Sequence, residues 1–153
     1  MTNPVDKISK STATGYVQLT LGKTRLLFPC TEVLSLEAVP EIGAAGKGGS
    51  IGVVSLNGAE LPVYNFDEEL QLHHEAQNNR RACACLGNGR TALGLLCDKV
   101  EIVDSASLRI VELPACMRSV NTPVQFLAMQ GMRILCISNV ERLAGLIVDE
   151  ARP

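Results

Sequence analysis

The chain has 153 residues, 46% of them hydrophobic, with 14 basic against 16 acidic side chains and a formal net charge of −2. That length and apolar content suit one folded domain with a substantial core and exclude a disordered chain. No block of like charge stands out, and with no Trp, two Tyr and three Phe the chain lacks stacking platforms, so nucleic-acid binding is excluded as a function class.

Residues 1–15 are polar and aperiodic and are expected to form a disordered tail, leaving a single domain over 16–153. The tail has no apolar signal-peptide core, and the longest apolar runs, such as ALGLLC at 92–97, fall far short of the ~20 residues that span a bilayer. A cytoplasmic protein with reduced thiols is the expectation. From Tyr16 the pattern alternates, placing Val17, Leu19 and Leu21 on one face of a strand and Tyr16, Gln18 and Thr20 on the other. A turn at Gly22-Lys23 leads to a second strand that Pro29 stops. The stretch TEVLSLEAV at 31–39 begins as a helical turn or a strand, and its later alternation suits a strand. Next, PEIGAAGKGGSIG at 40–52 is glycine-rich and predicts a flexible or tightly turning loop.

The following segment, GVVSLNGAELPVYNF at 52–66, predicts a β-hairpin, because Asn57 and Gly58 both tolerate positive φ and suit a type I′ turn. Pro62 cannot donate to a ladder, so its strand is expected at a sheet edge or bulged. An edge strand carrying Leu56, Leu61 and Val63 is a candidate for pairing with another chain. The plainer alternative makes these ordinary core positions, with Asn57 serving only the turn. NFDEELQL at 65–72 predicts a brief helix with Asn65 as N-cap and Glu68 three residues on. After a polar connector, a second hairpin is expected around Gly87-Asn88-Gly89, then a long strand into Val103 and a short one in RIVELP at 109–114. A last hairpin turns near Gly131 and ends in a helix, with Ser138 and Glu141 as a capping box and Val140, Leu143, Ala144 and Ile147 at helical spacing. About ten short strands with few, brief helices imply an all-β barrel or sandwich.

Motifs for catalysis are missing. GAAGKGGS has two residues between Gly43 and Gly46 where a P-loop needs four, and Gly48 follows Lys47 where Ser or Thr is required. Ser50 matches the letters of a nucleophile elbow, yet a strand follows it instead of a helix. Cys83 and Cys85 share one strand face, but a Cys-x-Cys pair departs from zinc-site spacing. Cys30, Cys97, Cys116 and Cys136 sit among apolar neighbours as small hydrophobes do. Buried reduced thiols are therefore expected, with no metal and no cofactor. A metal or redox site using Cys83, Cys85 and His73 or His74 stands as the rival reading.

The hairpin GVVSLNGAELPVYNF also resembles the Gly-Val-x-Asn-Leu-Arg-Gly-x-x-Leu-Pro-Val-x-Asp-Leu stretch of CheW-like domains, the coupling proteins of bacterial chemosensory systems. YVQLTLGKTRLLFPCTEVLSL, LGLLCDKVEIV and GMRILCISNVERLAG are similar to the family's opening, middle and closing segments, in the same order. The resemblance implies two packed five-stranded SH3-like β-barrels, interleaved in one domain, with short helices and a C-terminal helix. It implies a non-enzymatic adaptor between a CheA-type histidine kinase regulatory domain and the cytoplasmic tip of a methyl-accepting chemoreceptor, at membrane-associated arrays without membrane insertion. Weak self-association, as a homodimeric module for a pathway such as pilus-based motility, is a further alternative. Carried onto this chain, the partner-binding positions are Val33, Ser35, Leu56, Asn57, Leu61, Val63, Val100 and Val103. Four residues of the matching stretches depart from the family: Asn57 stands for its arginine, Ser55 for its asparagine, Asn65 for its aspartate and Ser35 for its glutamate. Replacing arginine by asparagine removes a bidentate fork for carboxylates.

Overall fold

The structure, a computed structural model, describes residues 15–38, 49–73, 80–118 and 122–150. Most of the expected tail, most of the glycine-rich loop and the polar connector with His74 lie outside them. Alternating apolar residues form β1 (Gly15–Leu21) and β2 (Thr24–Pro29), antiparallel across the Gly22-Lys23 turn. Cys30–Glu32 makes one 3-10 turn before β3 (Val33–Ala38), so both halves of the TEVLSLEAV ambiguity are realised. The opened hairpin is β4 (Gly52–Leu56) and β5 (Ala59–Phe66), followed by the short β6 (Leu72–His73). Then come β7 (Ala82–Gly87), β8 (Ala92–Cys97), β9 (Lys99–Asp104), β10 (Arg109–Glu112), β11 (Phe126–Gln130) and β12 (Arg133–Ile137). Helix α1 (Val140–Glu150) ends the described chain.

The strands form two sheets, one ordered β10-β11-β12-β2-β1-β9 and the other β3-β7-β8-β5-β4 with β6 added to β5. Each therefore carries six strands where five were expected. The first sheet combines the two ends of the described chain, and the second is its middle. The expected long strand into Val103 is divided at Asp98: β8 belongs to the second sheet and β9 to the first.

Side-chain alternation sorts the interior into three clusters. Val17, Leu19, Leu21 and Phe28 from the first sheet meet Ala84, Leu86, Leu93 and Leu95 from the second, together with Val140, Leu143 and Ile147 of α1. The opposite faces fill the concavity of each sheet: Val54, Leu61, Val63, Cys83, Cys85 and Leu96 in the second, Leu27, Val103, Ala128, Leu135 and Ile137 in the first. Strands β7 and β8 are consequently buried on both faces, which explains their near-continuous apolar sequence. Each fully buried Leu or Phe contributes about 1.5–3 kcal/mol.

Polar groups lock the two sheets together. Arg80, buried, donates from Nε to Asn65 Oδ1 (3.2 Å) and from Nη2 to the Phe66 carbonyl (2.9 Å), and its Nη1 pairs with Asp98. Asp98 in turn accepts from the Gly22 N–H (2.8 Å) in the β1–β2 turn. Gly22 has φ +61, which favours glycine, and an added Cβ would lie 2.6 Å from Glu68 Oε2 and displace that carboxylate from the turn. Glu68 also accepts from the Lys23 N–H (2.9 Å), and the Thr24 hydroxyl donates to its carbonyl.

Two local expectations are corrected. NFDEELQL is not a helix: Asn65 and Phe66 complete β5, and Asp67 Oδ1 accepts from the Glu69 and Gln71 N–H groups, a side-chain turn that displaces helical bonding. Leu70 closes that turn at φ +61. The cap of α1 is Asn139, not Ser138: Asn139 Oδ1 accepts from the Arg142 N–H (2.8 Å), while the Ser138 hydroxyl, buried, donates to the Pro123 carbonyl. Glu32 Oε1 takes the Val140 N–H (2.9 Å), so an acidic residue far away in sequence supplies the second cap. Burial and the nearby Glu141 raise the Glu32 pKa against the lowering effect of that N–H.

Candidate partner-binding surface

The β4–β5 turn has the predicted geometry, with φ +51 at Asn57 and +83 at Gly58, and Asn57 is exposed at its tip. Pro62, however, is not on an edge strand. β5 lies between β8 and β4, and β4 is the outer strand. Pro62 is tolerated because it stands opposite Val53, a pair whose backbone groups point away from β4, and the ladder to β8 starts only at Val63.

The register also decides which side chains face outward. Leu56, Leu61 and Val63 share the concave face with Val54; Leu61 and Val63 are buried there, and Leu56 is half-buried against the same cluster. The outward face carries Val53 and Pro62, then Ser55 opposite Glu60 near the tip. No described strand lies beyond β4, so the backbone groups of Val53 and Ser55 point to its open side. The hairpin thus offers a strand edge, an outer face that is polar near the tip, and the Asn57 turn, while Val54, Leu61 and Val63 serve the core.

The four remaining predicted positions do not converge. Val33 is buried in the shared core, and a bulge between Val33 and Ser35 puts Ser35 opposite Cys85, toward the concavity of the second sheet. Val100 and Val103 are three residues apart on β9 and face opposite ways: Val100 packs toward the shared core and Val103 into the first sheet's concavity. Two residues not singled out in the sequence are exposed beside them, Leu34 on the β3 bulge (41%) and Ile102 on β9 (51%). Ile102 pairs with Val17, on the face of Val100. Ile102 could have been found by period-2 counting from Val100; Leu34 is exposed only because of the bulge, which has no signature in the sequence.

Cys83, Cys85, Cys97 and Cys30 are buried, Cys136 is half-buried and Cys116 is exposed, which corrects the expectation that Cys116 is a core residue. Burial pushes the Cys97 thiol up to about 12, and the Cys83–Cys85 hydrogen bond raises Cys83, which burial also raises, while it lowers Cys85. Cys83 and Cys97, held protonated, are poor nucleophiles and poor metal ligands, and Cys85 is buried beside them. His73 pairs with Asp67 (2.7 Å) away from these sulfurs, and among the described residues no three His, Cys, Asp or Glu side chains converge to hold a metal. No described helix is long and apolar enough to cross a membrane.

Residues 15–148 match a family model described as CheW-like domain. Among solved structures, the scaffolding protein TtCheW from Thermoanaerobacter tengcongensis is similar at a TM-score of 0.66 and 17% identity, covering 85% of this chain and 91% of that one. No curated protein matches the sequence.

Proposed function

The chain belongs to the CheW-like domain family, and from that premise we propose that it is a non-enzymatic adaptor coupling chemoreceptors to a CheA-type histidine kinase. The carrying observation is the family match over nearly all of the two-sheet unit, 15–148. The open β4 edge supports the reading, since a related barrel of the kinase regulatory domain can pair with it through backbone bonds. Val100 and Ile102, lying side by side on one face of β9, supply apolar surface for a helical receptor tip. The adaptor works in the cytoplasm, at receptor arrays.

Asn57 changes the chemistry of the turn in this reading. Without a guanidinium there, recognition rests on the strand edge and on neutral hydrogen bonds, which are weaker than charge-assisted ones. The test is titration calorimetry of the chain against the kinase regulatory domain and against a receptor tip fragment from the same organism. Binding to at least one is expected, and Asn57→Asp, which retains a residue tolerant of positive φ, weakens one of them. Equal affinity for the variant removes the turn from the interface, and absence of binding to both removes the adaptor reading.

A further inference from the structure

A cavity of about 390 Å³ lies at one edge of the first sheet, between the end of β10, the approach to β11 and the first turn of α1. Small-molecule sites begin at about 300 Å³. Its apolar lining is Leu113 and Val124, both buried, and Phe126, half-buried beside Glu112 of the neighbouring strand.

Around that apolar lining most acceptors are taken and several donors are not. Gln125 Oε1 takes Asn139 Nδ2 (3.2 Å), which leaves the Gln125 amide N–H groups over. Thr122 Oγ1 accepts from the Val124 N–H (3.3 Å) and keeps its own proton to donate. Arg118 is partly used: its Nε donates to the Leu113 carbonyl (2.8 Å), and its Nη2 reaches Glu112 Oε2 (3.4 Å). The Arg142 guanidinium has no hydrogen bond or ion pair within the described residues. Arg142 also stands in the first turn of α1, where the helix dipole disfavours a cation, so helix stability does not account for it. Glu112, the one acid of the lining, has a side chain 82% exposed. Two guanidinium groups against one carboxylate leave the cavity a single positive charge over an apolar floor. That balance suits a monoanion with an apolar body, and a planar guanidinium fork matches a carboxylate in shape.

We propose that this cavity binds a small organic carboxylate with an apolar body, its carboxylate on Arg142 and the Gln125 amide and its hydrocarbon against Leu113, Val124 and Phe126. The site shares no residue with the β4 edge or the Val100–Ile102 surface and does not rest on the adaptor reading. The probe is 4-methylpentanoate, titrated into the whole chain at pH 7 and followed by NMR through the Thr122 and Gln125 amides and the Arg142 Nε–H. Saturable shifts are expected. Acetate, which lacks the apolar body, and 4-methylpentanamide, which lacks the charge, each bind about tenfold or more weakly. Arg142→Gln weakens binding of 4-methylpentanoate by about tenfold or more, as loss of a charge-assisted bond requires. Arg133→Gln, at the other end of the β11–β12 pair from Phe126, leaves it unchanged. Arg142 is exposed, so its variant retains the fold, checked by the amide spectrum. Linear, unsaturated shifts with 4-methylpentanoate, equal affinity for acetate or the amide, undiminished affinity in Arg142→Gln, or an equal loss in Arg133→Gln overturns the site.

Discussion

Replacing Arg80 by Met keeps most of the side-chain volume and removes the guanidinium that joins the two sheets. The Arg80 side chain is 1% exposed and that of Asp98 20%, so the pair is largely withdrawn from water. Breaking a buried pair by removing one partner costs about 3–5 kcal/mol, chiefly because the remaining charge is left without its partner. Two features place this case at the lower end. Asp98 is partly hydrated, and it keeps the Gly22 N–H as a donor. The loss of the donor to the Phe66 carbonyl acts in the other direction. The expected destabilisation is about 3 kcal/mol. Urea denaturation followed by circular dichroism reads it as a fall in midpoint at unchanged slope. Asp98→Asn, which retains an acceptor for Gly22, is expected to lose roughly half as much. A loss below about 1 kcal/mol for Arg80→Met would refute the reasoning, since it would mean that water replaces the guanidinium without penalty.

Gly94→Ala adds a Cβ 3.1 Å from both Cys83 Sγ and Val63 Cγ2, inside the second sheet's concavity, and is expected to cost about 1–3 kcal/mol in the same denaturation assay. A neutral result would mean that this interior is loosely packed. For Asp67, burial raises the pKa, but hydrogen bonds from Gln71, His73 and Glu69 outweigh it and the net shift is downward. Its contribution to stability is therefore present above the ordinary value of 3.8 and lost as pH falls through the lower folded-state value. The stability gap between the wild type and Asp67→Asn should be open at pH 7 and close in strong acid; a gap independent of pH would contradict this. In the native protein, iodoacetamide should label Cys116 first and leave Cys83, Cys85 and Cys97 unmodified until denaturant is added, as mass spectrometry of the peptides will read. Rapid native labelling of Cys97 would overturn the burial argument.

Period-2 alternation made most of the strands legible, because one or both faces of each are dry: Val17, Leu19 and Leu21 are all buried, as their spacing required. The Asn57-Gly58 turn was equally readable, since few residue pairs accept two positive φ values. Elsewhere long-range contacts overrode local signals. Asn65 has a capping residue's side chain, yet it is held in β5 beside Arg80, fifteen residues away. Ser138 had the spacing of a capping box, but its hydroxyl is drawn to Pro123 and the cap passes to Asn139 and Glu32. The same limit applies to the candidate surface. Val100 and Val103 could be recognised individually, but their odd spacing sends them to different clusters. The role of Leu56, Leu61 and Val63 depended on which face of the hairpin meets β7 and β8, and a single strand pattern does not specify its partners.

The adaptor reading stands most directly on simultaneous contact with two partners. Size-exclusion chromatography with light scattering, on the chain mixed with the kinase regulatory domain and a receptor tip fragment of its own organism, measures this in one experiment. A single peak with the summed mass of all three components is the predicted result. If the chain elutes alone in every mixture at about 100 µM of each component, the account of this protein as a coupling adaptor is contradicted.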